Sequence, residues 1–132
     1  MKNRRTIHKA IFFLYLLAVG YLCFGNFSSI PSTPKDFLGI PSDKWMHFMM
    51  FFPFALLLYN AFEWRSSKWW HSLLLVTGVF AVGCLVAAGT EIGQGMTTYR
   101  SKDPQDFAAD ILALGLSTAV VLILDLKKTL KK

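Results

Sequence analysis

Three stretches of this 132-residue chain carry side chains able to do chemistry, and each lies at the edge of a long apolar run. The first holds Asp43, Lys44 and His47, the second Glu91 and Gln94, the third Arg100, Asp106 and Asp110. Asp43 and His47 are four apart, as are Asp106 and Asp110, and Glu91 and Gln94 are three apart. On a helix each of these pairs shares a face. A carboxylate next to hydrocarbon is costly unless it is paired or looks into a wet cavity, so it marks a site by default. Three chemistries compete for these residues. His47 with Glu91, Asp106 and Asp110 offers imidazole and carboxylate ligands to a divalent metal. No HExxH-type motif supports that, and no residue is assigned as a metal ligand. Glu91 beside Arg100 offers a general acid or base; burial and a cation act on it in opposite senses, so its charge state stays open. His47 and Arg100 together could hold an anionic headgroup, with the acids orienting them. No nucleophile-elbow serine, glycine-rich phosphate loop or cysteine-based site is visible, which leaves catalysis and cofactor undecided. The plainer alternative is that the charges pair with one another and only fix how helices pack.

The elements that must position these residues are membrane spans. Hydrophobic residues make up 54% of the chain and mean hydropathy is +0.42. The apolar residues come in four blocks, with the charges pushed between them and to the ends. That distribution predicts an all-α polytopic membrane protein, a single domain over 1–132 with spans at about 8–27, 44–64, 70–94 and 105–126, and no room for a soluble domain. The first block is read as an uncleaved span rather than a signal peptide, because Gly25-Asn26-Phe27-Ser28 is a poor cleavage site. Residues 26–41 carry Pro31, Pro34 and Pro41 and predict an extended loop, after which Ser42 or Asp43 caps a helix. Pro53 should kink the second span and free a carbonyl near Met49. Asp103-Pro104-Gln105-Asp106 is a strong helix start, with Asp103 as its cap. Below Glu91 the stripe Cys84, Ala87, Ala88 is small, as are Ala113 and Ser117 below Asp110. Small stripes let helices approach closely, so the two polar faces are expected to look at each other. Cys23 and Cys84 have no metal or disulfide spacing and read as buried hydrophobes.

Net charge is +6, but the basic residues are terminal or interhelical, so lipid headgroups account for them without nucleic acid. With four spans, both termini and the turn near Arg65 lie on one side. That side holds Lys2, Arg4, Arg5, Lys9, Arg65, Lys68, Lys127, Lys128, Lys131 and Lys132, against Lys35, Lys44, Arg100 and Lys102 on the other. The excess predicts cytoplasmic termini. The polar cluster would then open away from the cytosol.

At these same residues the chain resembles the VanZ-like family of small membrane proteins. The likeness lies in Asp43-Lys44-x-x-His47-Phe48-x-x-Phe51-x-x-x-Ala55-Leu56, then Glu91-Ile92-x-Gln94, Arg100, and Asp106-x-x-Ala109-Asp110. It covers roughly residues 42–120, and the combination is specific where each piece alone is weak. The resemblance implies four membrane helices with a polar cluster shared by spans two to four, in the inner membrane of a bacterium. The founding member is linked to teicoplanin resistance; most relatives have no assigned role and no enzymatic activity is established. A lipid-linked envelope precursor or a glycopeptide is the ligand this implies, with an intramembrane, metal-assisted enzyme and a purely structural or partner-binding bundle as the alternatives. The chain departs from the pattern at Asp110, where many relatives have Asn, and at Ala113, where a glycine is common.

Overall fold

The computed structural model describes residues 2–26, 36–62 and 64–131. Its elements are α1 (Lys2–Phe24), β1 (Asp36–Phe37), β2 (Ile40–Pro41), α2 (Ser42–Phe51), α3 (Phe54–Phe62), α4 (Trp69–Gly95) and α5 (Pro104–Leu130). α2 and α3 run on as one span, so four helices are long and apolar enough to cross a bilayer. The apolar blocks dictate this: a segment of about 20 such residues has no cheaper way to satisfy its backbone in lipid than a helix.

The boundaries differ from those expected at several ends, α1 stopping at Phe24 rather than near 27 and α5 running to Leu130 rather than near 126. α1 starts at Lys2 rather than near residue 8, so the basic N-terminal residues extend the span as a helix instead of preceding it. Pro41, not Ser42 or Asp43, occupies the N-cap of α2, and no side chain caps it. Pro31, Pro34 and Glu63 lie outside the described residues. The remainder of the expected loop folds into a two-residue antiparallel ladder, Asp36 against Pro41 and Phe37 against Ile40. Leu38 and Gly39 turn it, both at positive φ (53° and 74°), the conformation a two-residue hairpin loop with the right twist demands.

Contacts fix the packing as antiparallel. Lys9 lies over the Phe62 ring at 5.6 Å, and the Thr129 hydroxyl donates to the Ser66 carbonyl at 3.2 Å, which gathers both termini at one end with the α3–α4 turn. We call this the tail end. The starts of α2 and α5 meet the ends of α1 and α4 at the other, the chamber end. Between them lies an apolar core that includes Phe51, Phe54, Leu114 and Val121. On α4 the buried face is Gly83, Ala87, Thr90, Glu91 and Gln94, while Cys84 and Ala88 are only half-buried. The small stripe thus keeps Ala87 as expected and has Gly83 in place of Cys84. At Gly83 a Cβ would come within 2.6 Å of Leu114 Cδ2, so α4 and α5 approach closely there. On α5 Ala113 and Ser117 are fully buried, completing the close contact.

Pro53 ends α2 at Phe51, and the chain resumes as α3 at Phe54. Proline withholds a backbone donor. The carbonyl put to use beside the break is that of Met50, which accepts the Tyr15 hydroxyl at 2.5 Å. α1 thereby braces the break that sets the direction of α2, the helix carrying Lys44 and His47.

Candidate functional site

α5 begins with Asp103, whose carboxylate accepts the Gln105 N–H at 2.8 Å, with Pro104 in the first turn. The cap lines up Asp106 and Asp110 one turn apart on the face turned to α2. Opposite them α2 presents Lys44 and His47. The Lys44 ammonium bonds Asp43 at 3.0 Å, Asp103 at 2.6 Å and Asp106 Oδ1. Asp103, in the connection between spans, is held below the usual carboxylate range by the Lys44 ammonium and then by the Gln105 N–H.

One turn deeper is His47. Its Nδ1 lies 3.0 Å from Asp110 Oδ1 and its Nε2 3.4 Å from Asp106 Oδ2. Glu91 closes the ring from α4, with Oε1 4.0 Å from His47 Nδ1. Its other oxygen accepts the backbone N–H of Asp103 at 3.2 Å. His47, Glu91 and Asp110 are all buried, Glu91 at 3% exposure and Asp110 at 0%. Among the described residues, Glu91 Oε1 and Asp110 Oδ2 are buried without a hydrogen-bond partner. Unpaired buried polar atoms are rare in folded proteins and call for an explanation.

Gln94 and Arg100 also reach across to α1. Both donate to the Cys23 carbonyl, each at 3.1 Å, and the Tyr99 hydroxyl donates to the Phe24 carbonyl at 2.5 Å. The last carbonyls of a helix have no partner within it. Side chains from the end of α4 and the α4–α5 connection therefore cap α1. Arg100 also lines a cavity of about 290 Å³ with Asp43, His47, Gln94, Tyr99, Ser101 and Asp106. Leu22, Met46 and Met50 form its apolar wall. Glu91 and Asp110 sit outside this lining, behind His47 and Asp106.

All eight residues singled out from the sequence thus fall at the chamber end, in two tiers. Asp43, Lys44, His47, Gln94, Arg100 and Asp106 border the cavity or its rim, and Glu91 and Asp110 lie deeper. Asp103 belongs with them, although the sequence reads it only as a cap. Its signal lies in its position, one turn before Asp106 on the helix start that faces Lys44. The cavity's apolar wall also escapes a reading of the sequence, because Met46 and Met50 look like ordinary helix packing.

Asp125 is a further residue that sequence reasoning misses, at the tail end. It is fully buried, accepting the Tyr59 hydroxyl at 2.8 Å and the Ser72 hydroxyl at 2.6 Å. Lys128 closes the group, its ammonium 3.3 Å from the Tyr59 hydroxyl and 4.8 Å from the ring centre.

A family model described as VanZ/LLP1 matches residues 12–125. The chain is also similar to an uncharacterized protein, C11E3.10, of Schizosaccharomyces pombe. The two are 34% identical over 124 residues, which is 93% of this chain and 67% of the yeast protein. No solved structure matches.

Proposed function

Taking as premise that the chain belongs to the VanZ/LLP1 family and is a multi-pass membrane protein, we propose that it binds the headgroup of an envelope lipid or lipid-linked precursor in the chamber between α1, α2, the end of α4 and the start of α5. The observation that carries this is the cavity itself, which sets a charged wall against an apolar one at the end of a membrane bundle. A lipid presents that same junction of polar head and hydrocarbon. Size decides between ligands. Sites for small molecules run from roughly 300 to 1,000 Å³. At about 290 Å³ the chamber suits a headgroup, and a whole glycopeptide would touch only its rim. The likeness to a yeast protein also favours a ligand chemistry that is not confined to bacterial walls. The excess of Lys and Arg at the tail end supports cytoplasmic termini, which would open the chamber to the outer leaflet of a bacterial inner membrane.

Simple stapling of helices explains Lys44, whose three partners lie on α2, on α5 and at its cap. It does not explain why Glu91 Oε1 and Asp110 Oδ2 have no hydrogen-bond partner among the described residues. The test is to extract the lipids that stay with the full chain in nanodiscs of mixed lipid and identify them by mass spectrometry. One lipid class should be enriched at least tenfold over the bulk, and Arg100→Ala should lose that enrichment while remaining folded. Bound lipid that mirrors the bulk composition would refute the proposal, as would undiminished enrichment in a folded Arg100→Ala protein.

A further inference from the structure

Charge at the chamber end is out of balance in a particular place. Among the described residues there are two groups in which three ligand-bearing side chains converge: Asp43, Asp103 and Asp106, and His47, Glu91 and Asp106. The first is already served by a cation, since the Lys44 ammonium bonds all three carboxylates. The second has no such occupant among the described residues. One ligand atom from each of His47, Glu91 and Asp106 lies within 4.8 Å of the other two. Glu91 is only 3% exposed, and its Oε1, 4.0 Å from His47 Nδ1, has no hydrogen-bond partner among the described residues. Behind it Asp110 adds another buried carboxylate with an unpaired oxygen.

We infer that His47, Glu91 and Asp106 form a site for one divalent cation. The donor set, one imidazole and two carboxylates, suits Mn²⁺ or Zn²⁺ better than a purely oxygen-seeking ion. The surroundings suit a ligand histidine. Asp110 Oδ1 accepts from His47 Nδ1 at 3.0 Å, which leaves Nε2 its lone pair and turns it toward Asp106 Oδ2, 3.4 Å away. A carboxylate behind a histidine in this way fixes the tautomer and strengthens the ligand. Asp106 then works on both sides, giving Oδ1 to Lys44 and Oδ2 to the cation. The Lys44 bonds do not extend to Glu91 and Asp110, which have one imidazole between them, and a divalent ion would offset that buried negative charge. Because His47 and Asp106 also border the cavity, the ion would sit in its floor, able to meet a phosphate of the headgroup. Only that last role rests on the lipid reading above.

The measurement uses the full chain in detergent, stripped with chelator and without added lipid. Mn²⁺ and Zn²⁺ are titrated by calorimetry, and bound metal is counted after desalting. About one equivalent of at least one of the two should bind. Changes behind a ligand cost about 10–100-fold in affinity. Glu91→Gln and His47→Asn, which remove ligands, should each weaken binding at least tenfold, while Asp125→Asn, at the far end, should not. Failure of the wild-type protein to bind an equivalent of either ion overturns the inference without recourse to variants. Binding that survives unchanged in both Glu91→Gln and His47→Asn overturns it too. Selective lipid retention by a protein that binds no metal would sink the cation site and leave the headgroup reading standing.

Discussion

Asp110 and Asp125 lie on one helix, α5, both with 0% exposure, and they live in opposite circumstances. Fifteen residues separate them, about 22 Å along the axis. Asp125 accepts a hydroxyl on each oxygen, from Tyr59 and Ser72, and those donors come from α3 and α4. It is a fully answered acid that ties three helices together. Asp110 has His47 on one oxygen and no partner among the described residues on the other, with Glu91 and Asp106 crowding the same histidine. Burial alone therefore does not tell these two acids apart. What separates them is whether the protein has supplied the donors. At the tail end it has; at the chamber end it has gathered acceptors and left some of them open.

The contrast is broken most directly at Asp125. Asp125→Ala strands the Tyr59 and Ser72 hydroxyls in the core, and each unsatisfied buried group costs about 1–3 kcal/mol. Unfolding in detergent should show a larger loss than Tyr15→Phe, Asp110→Asn or Asp125→Asn produces, while lipid or metal bound per folded molecule stays constant. A stable Asp125→Ala protein would mean that the tail-end group is not the clamp its geometry suggests. Tyr15→Phe comes next. It deprives the Met50 carbonyl of its 2.5 Å donor beside the Pro53 break, at a cost of about 1 kcal/mol. Since that contact braces α2, ligand binding at the chamber should weaken with stability. Binding that holds while the melting temperature falls would uncouple the brace from the site.

Much of this architecture is legible in the residue order, for identifiable reasons. The spans follow from apolar blocks, and the α5 start from Asp103-Pro104, because both are local signals. The convergence of Asp43, His47, Glu91 and Asp106 at one end follows from counting turns along antiparallel helices. What escapes depends on rotation about helix axes or on backbone acceptors. Arg100 reads as a partner for acids or anions, and its bond to the Cys23 carbonyl could not be foreseen, because that is an acceptor every residue possesses and no residue type advertises. The buried stripe of α4 keeps the expected Ala87, but Gly83, which packs against Leu114, takes the place expected of Cys84, and Ala88 is only half-buried. Asp125 is easily overlooked because it borders the basic tail. The clue to it lies in Tyr59 and Ser72, polar residues at the same depth on the neighbouring spans.

Smaller effects sharpen the comparison. Asp110→Asn and Asp125→Asn make the same chemical change on the same helix. At Asp125 the amide nitrogen replaces an acceptor facing a hydroxyl, so stability should fall by about 1 kcal/mol. At Asp110 one oxygen has no donor to lose and a negative charge is removed from a crowded site, so stability should hold or rise. Cation affinity should meanwhile drop about tenfold, as expected when the carboxylate behind a ligand histidine is neutralised. Equal destabilisation by the two substitutions would erase the distinction between the ends.

The smallest effect belongs to pH. Asp103 is held below the ordinary carboxylate range by Lys44, and with a folded-state pKa below the unfolded one it favours the folded state when ionised. Its contribution is complete above the unfolded value of about 3.9 and is lost as pH falls through the lower folded value. The chamber end should thus loosen only in strong acid, detectable as faster amide exchange in the first turn of α5. Asp103→Asn should show that faster exchange already at neutral pH and remove its acid dependence, since it takes away the charge facing Lys44. If the wild-type first turn instead loosens between pH 5 and 7, a group other than Asp103 governs the junction, and the Lys44 trio is not what holds α5 against α2.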